Sequence, residues 1–258
     1  MEGSAGPEPP AGAGEAQGSA GSEPPAGTGE FASAADRDRA IRRFGLGDEG
    51  VAAWESNGLG AGAFADWLTD RVARRPAGAR ARTVYGAEDV HDFARAAILD
   101  ALALGPDDRL LELGCGGGLL LRDALATGAA ATGLDHSDDM VALARERAPG
   151  AEVVAGTAEA LPFTDGSFTA LAMSVMFFFL PDPAIVLHES LRVLVPGGRL
   201  AIYTTGPELR GTPAAPEPIA SRGHFHDDAS LAALARDAGF RAVAVVNEGG
   251  GQLLTACR

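Results

Sequence analysis

Between Asp108 and Asp135 the chain reads DRLLELGCGGGLLLRDALATGAAATGLD, an apolar strand, a glycine loop, an amphipathic helix and a second strand ending on an acid. Leu110, Leu111 and Leu113 form a short apolar run that stops at Gly114, as a buried parallel strand stops at the carboxyl edge of its sheet. Gly114, Gly116, Gly117 and Gly118 follow, interrupted only by Cys115. Glycines permit positive φ and remove the Cβ, so the backbone turns sharply and approaches a ligand closely at a helix N-terminus. The segment is a nucleotide-binding half-unit.

The dinucleotide pattern G-x-G-x-x-G requires glycine at 119, where this chain has Leu119, which disfavours a nicotinamide cofactor. E-x-G-x-G-x-G does fit, from Glu112 through Gly114, Gly116 and Gly118, with Asp135 closing the next strand. On these residues the chain resembles class I S-adenosylmethionine-dependent methyltransferases, in the small-molecule (type 11-like) subgroup. The resemblance implies S-adenosyl-L-methionine as cofactor. Glu112 would position its amino acid end, Gly114, Cys115, Gly116 and Gly118 would pass beneath it, and Asp135, followed by His136, would hold the ribose diol. A carboxylate suits a diol because its two oxygens accept two charge-assisted hydrogen bonds.

The later segments fall in the family's order over about residues 95–258. Ser137 is a good N-cap with Asp138 and Asp139 in the first turn, and Met140 stands where the family packs an apolar residue on adenine. GTAEALPF at 156–163 resembles the family's GDAexLPF, with Thr157 in place of the aspartate and the Ala158 amide retained. Strand four, Phe168 to Ser174, carries Thr169 where the family usually has an acid, and Ser174 closes it at the ligand-binding edge. Phe177, Phe178, Phe179 and Leu180 replace a polar stretch common in relatives. With Met176, Phe178 and Phe179 they suggest an apolar acceptor wall, which Trp54 and Trp67 of the preceding segment are expected to complete.

The expected fold is α/β, a Rossmann-like seven-stranded, mostly parallel sheet flanked by helices, with an N-terminal helical lid and a disordered N-terminal tail. Three regions follow: a Gly/Pro/Ala/Glu tail at 1–30, a lid at 31–94 and the cofactor-binding domain at 95–258. The tail duplicates GSAGPEPPAGAGE as GSAGSEPPAGTGE, a composition unable to bury a core. In the lid, Ile41, Phe44, Val51, Trp54, Phe64, Trp67, Leu68 and Val72 recur at helical spacing. Arg71, Arg74, Arg75, Arg80 and Arg82 read as a solvated helix end and loop. A helix from Ala87 to Leu104 leads into the first strand, with Tyr85 and His91 flanking its start. An irregular Pro-rich insertion at 206–223 ends in His224 and His226.

The 258 residues carry a formal charge of −14, which disfavours nucleic acid as partner, and all 21 basic residues are Arg, as in a high-GC bacterial genome. The two cysteines suggest neither disulfide nor zinc cluster and fit a cytoplasmic protein. No apolar run reaches the roughly 20 residues of a membrane span. HxH at 224–226 lacks further metal-ligand partners, so no metal is expected. The reading is methyl transfer to O, N or C of a small, rather apolar molecule, in a monomer or homodimer. His91, His226, His224 and Tyr85 are the candidate bases. The alternative is a non-methylating, cofactor-binding cyclase-like enzyme or scaffold.

Overall fold

The computed structural model describes residues 31–88, 91–248 and 250–258; the 1–30 repeat and its expected disorder lie outside these. Three helices open the described chain, α1 (Ala34–Arg43), α2 (Gly47–Ser56) and α3 (Phe64–Thr69), followed by a π-helical turn at Asp70–Arg74 and by α4 (Gly78–Val84). Ser33 caps α1 in a reciprocal capping box with Asp36. Helix α5 spans Asp92–Leu102, shorter than the expected 87–104. His91 at φ 51° and Ala103 at φ 45° stand in the left-handed region on either side, and neither conformation continues a helix.

The sheet then builds up as β1 (Arg109–Leu113), α6 (Leu119–Leu125), β2 (Ala130–Asp135), α7 (Asp138–Arg147), β3 (Glu152–Ala155), β4 (Phe168–Ser174), α8 (Pro183–Val193) and β5 (Leu194–Thr204). A short α9 (Ile219–Arg222), α10 (Asp228–Asp237), β6 (Arg241–Glu248) and β7 (Gly251–Cys257) complete it. The seven strands run in the order β3-β2-β1-β4-β5-β7-β6, parallel except for β7, which is antiparallel to both neighbours. Helix starts obey local chemistry. Ser137 accepts from the Met140 amide, Asp182 caps α8 ahead of Pro183, and Asp227 accepts from the Ser230 amide. β5 runs through Pro196, Gly197 and Gly198, and the pairing absorbs them as a register shift between Phe168 and Ala170 on β4.

Strand alternation assigns the two faces. Leu111, Leu113, Leu171, Met173, Leu200 and Ile202 bury one face under α8 and α10. On the opposite face small residues, Ala170, Ala172 and Ala201, leave room for the close approach of Ala94 and Ala97 of α5. Glu112 alternates onto this second, tighter face.

The lid has its own core. Ile41, Phe64, Leu68 and Val72 are buried among Phe31, Phe44, Trp54 and Trp67, with Trp54 edge-on to Phe64 at 5.0 Å and 5.2 Å from Trp67. Polar ties seat the segment on the sheet domain: Ser137 Oγ donates to the Pro76 carbonyl at 2.7 Å, and the Gly78 amide donates to Asp139 at 2.8 Å. Thr169, where relatives have an acid, is structural. Its hydroxyl donates to Asp108 and accepts from the Arg109 amide.

Candidate functional site

β1 delivers the chain to the carboxyl edge of the sheet, and the next five residues form a cradle. The Gly114 and Cys115 amides both donate to the Leu134 carbonyl, at 2.8 and 3.1 Å, which locks the loop onto the end of β2. Gly114, Gly116 and Gly118 adopt φ of 66°, 50° and 79°. A Cβ on Gly116 would meet open space, whereas one on Gly117 would strike the Tyr85 carbonyl and one on Gly118 would strike Ala144 of α7. Gly116 therefore presents an open face to the cavity, and Gly118 serves packing. Gly118 is absent from the cavity lining, and its missing Cβ lets α7 sit against the loop.

Asp135, at the end of β2, accepts from the Gly116 amide through one oxygen (2.9 Å) and from the Ser137 amide through the other (2.8 Å). Each oxygen retains a free lone pair for a further donor. Burial raises its pKa in spite of these bonds. Glu112 is 3% exposed, and its Oε2 is buried with no hydrogen-bond partner. Burial, reinforced by the neighbouring Asp135 charge, pushes its pKa well up. An orphaned buried acceptor is costly. A donor-bearing ligand, such as the ammonium of an amino acid, would satisfy it. With the open Gly116 face and the Asp135 lone pairs, these residues fit S-adenosylmethionine.

The cradle opens into a cavity of about 1120 Å³. That exceeds the roughly 300–1,000 Å³ of a single-ligand pocket and leaves room for two molecules. Glu112, Gly114, Cys115, Gly116, Asp135, His136, Met140, Thr157, Ala158 and Ser174 all line it, as do Met176, Phe178 and Phe179. Met140 is fully buried beside Ala81, Leu143 and Tyr85. The Cys115 side chain lies against Gly133 of β2, and burial raises its thiol pKa well above the ordinary value, so the group is an inert packing element.

At the end of β4, Val175 takes φ 57°, a strained conformation for a β-branched residue, held by its amide donating to the Tyr203 carbonyl at 2.8 Å. The twist sets Ser174 and Met176 on the cavity side. The Phe177–Phe179 run forms a tight 3-10 turn rather than a strand edge. Phe177 is fully buried, while Phe178 packs in tilted contact with Phe179 (4.0 Å) and Phe225 (5.4 Å) to make an aromatic wall.

The candidate bases separate. His91 lines the cavity, and burial, then Arg95, lowers its pKa, leaving a neutral imidazole at neutral pH. His224 also lines it. His226 is not in the lining; its ring lies 6.1 Å from Phe177 in an edge contact, and its Nε2 is buried without a partner. Tyr85 lines the cavity, but its hydroxyl donates to the Val72 carbonyl and burial raises its pKa, both of which hold the proton. Trp54 and Trp67 do not reach the cavity: their mutual packing with Phe64 consumes the surface expected to meet an acceptor. Sequence reasoning missed Asp66, Val72 and Ile219 of the lining, which only tertiary packing brings to the cavity. Among the described residues no group of three or more His, Cys, Asp or Glu is placed to hold a metal, and no helix is long and apolar enough to cross a membrane.

Residues 111–202 match the family described as Methyltransferase domain. A demethylmenaquinone methyltransferase from Beutenbergia cavernae is 40% identical over 115 residues, covering 44% of this chain and 48% of that protein. The chain's matches thus span about half the length of the curated relatives. Among solved structures, a SAM-dependent methyltransferase from Thermotoga maritima, described as a possible histamine N-methyltransferase, superposes with TM-score 0.54 at 27% identity, covering 65% of this chain and 91% of that one. A SAM-dependent methyltransferase from Aquifex aeolicus shares the fold, with TM-score 0.58 at 22% identity, covering 69% and 96%.

Proposed function

Because this chain carries a class I S-adenosylmethionine-dependent methyltransferase domain, we propose that it transfers a methyl group to an O, N or C atom of a small, largely apolar molecule. The observation that carries the reading is the orphaned, buried Glu112 carboxylate on the floor of a glycine cradle that opens into a two-ligand cavity with a Phe178/Phe179 wall. When bound, S-adenosylmethionine supplies an activated methyl group on a sulfonium. The chain's own residues do the rest. Glu112 would take the ammonium, Asp135 the ribose hydroxyls, and Met140 with the Ala158 amide would flank the base.

Ser174 and Met176, fixed by the Val175 twist, border the space where acceptor and methyl donor would meet. The Phe178–Phe179 wall excludes water and orients an apolar ring. The demethylmenaquinone for which the curated relatives are named is one molecule of that kind. His91, neutral and in the lining, is the residue we assign to remove a proton from an O–H or N–H acceptor. The test is a screen of cell extract with labelled methyl donor, read against Phe178→Ala. That variant should raise acceptor KM while leaving cofactor affinity within twofold, the pattern of lost ground-state packing. An unchanged acceptor KM would remove the aromatic wall from the acceptor site.

A further inference from the structure

The five arginines between 71 and 82 do not behave alike. Arg71 lies over the Trp67 ring at 5.0 Å, Arg82 pairs with Glu146 at 2.5 Å, and Arg74 approaches Asp66 at 3.7 Å. Asp66 is engaged more closely by Arg222, at 2.8 Å. Arg74 also lines the cavity with a buried, unpartnered Nε, so Arg80 differs from these in lacking a carboxylate partner. Its Nε donates to the Phe44 carbonyl, its Nη1 is buried without a hydrogen-bond partner, and it lines the cavity. Among the described residues no carboxylate stands within ion-pair reach of it. The charge that acts on it is that of Tyr85, whose hydroxyl is committed to the Val72 carbonyl and whose proton burial retains.

A partly desolvated guanidinium without an anion is unfavourable, and its planar fork matches an oxyanion. We propose that the lid side of the cavity is an anion site anchored by Arg80, and that the acceptor carries an oxyanion, a carboxylate for example, on its apolar frame. The inference rests on the methyl-transfer reading for the word acceptor, and on the cavity alone for the anion. The carboxylate of the cofactor is a different matter. The cation felt by Glu112, and hence by the amino acid end of the cradle, is Arg95, whereas Arg80 faces Phe44, Gly45 and Tyr85 on the lid. Arg75 lines the same rim and is exposed, adding positive potential.

The experiment titrates 2-naphthoate and its uncharged amide, 2-naphthamide, into the full chain by calorimetry, with and without saturating S-adenosylhomocysteine. The naphthoate should bind about 10- to 100-fold more tightly than the amide, the range of a hydrogen bond to a charged group. Arg80→Gln should abolish the preference while S-adenosylhomocysteine affinity stays within twofold, and Arg80→Lys, which keeps the cation, should retain part of it. The proposal is overturned if wild-type protein fails to prefer the acid, whether both probes bind equally or neither binds, or if Arg80→Gln keeps the preference. It is equally overturned if Arg80→Gln loses S-adenosylhomocysteine affinity instead, which would give the guanidinium to the cofactor. Wild-type protein that prefers the acid yet binds no S-adenosylhomocysteine would overturn methyl transfer and leave the anion site standing.

Discussion

In the cradle, Glu112 is left with an unpartnered buried oxygen, and the other acid is held by backbone amides at the ends of β1 and β2. Asp135 takes the amide of Gly116, 19 residues earlier, and that of Ser137, two residues later. In the lid, beyond local pairs such as Ser33 with Asp36, arginines reach further: Arg43 donates to the Glu217 carbonyl, 174 residues on, and Arg80 to that of Phe44, 36 residues back. The cradle is held by strand ends and glycine geometry whichever side chains surround it. The lid is held by aromatic packing and by arginines whose partners lie on other elements. On the proposed reading, the first arrangement suits one fixed ligand and the second the acceptor.

The sharpest way to break the comparison is at His91, which stands where the two regions meet. Its exchange for Asn should lower kcat by about 10²- to 10⁴-fold, the scale of acid–base assistance, with S-adenosylhomocysteine affinity unchanged. Since its pKa is lowered, the neutral base persists into mildly acidic solution, and the acid limb of the wild-type kcat profile should fall below the ordinary histidine value of 6.5. A full kcat in the variant would leave catalysis to positioning alone.

Next in size is the lid core. Phe64 is fully buried among Trp54, Trp67 and Phe31, and Phe64→Ala should cost about 3–5 kcal/mol, as large aromatic truncations do. Denaturant titration should register that loss with cofactor affinity nearly intact. A parallel collapse of cofactor binding would mean that the two regions are one cooperative unit.

Within the cradle the effects are smaller and of a different kind. Asp135→Ala should weaken S-adenosylhomocysteine binding by about 1.5–3 kcal/mol, the scale of a hydrogen bond to a charged group. Glu112 is smaller still and has the opposite sign for stability. Its folded pKa lies well above its ordinary value of 4.5, so its contribution to stability is complete below that value and is lost as pH rises through the folded one. Glu112→Gln should therefore raise the Tm of the ligand-free protein at neutral pH, each kcal/mol giving roughly 2–4 °C, while weakening cofactor binding. A Tm that falls at neutral pH would show the carboxylate to be satisfied in the free protein.

The cradle was legible because its determinants are local: a strand that stops at Gly114, glycines at positive φ and an acid closing the next strand all leave marks at fixed spacing. The bounds of β4, expected at Phe168 to Ser174, were readable as well. The lid was legible only as helices. Period 3.6 shows that Trp54, Phe64 and Trp67 share a buried side, but not whether that side meets a ligand or, as here, each other. His91 is a comparable case: its left-handed backbone, which holds the start of α5 back to Asp92, has no signature in the sequence, and its place in the cavity lining could not be read there either. The 71–82 arginines looked like a solvated stretch by composition, and only the distances to Asp66, Glu146 and Phe44 distinguish the paired from the unpaired.

The central claim, that this cradle holds S-adenosylmethionine through the orphaned Glu112 carboxylate and Asp135, is tested most directly by calorimetric titration of the full chain with S-adenosylhomocysteine and with NAD. The account predicts one site for S-adenosylhomocysteine, weakened in both Glu112→Gln and Asp135→Ala, and no measurable heat from NAD. Comparable affinity for NAD, or S-adenosylhomocysteine binding that survives both substitutions unchanged, would contradict it.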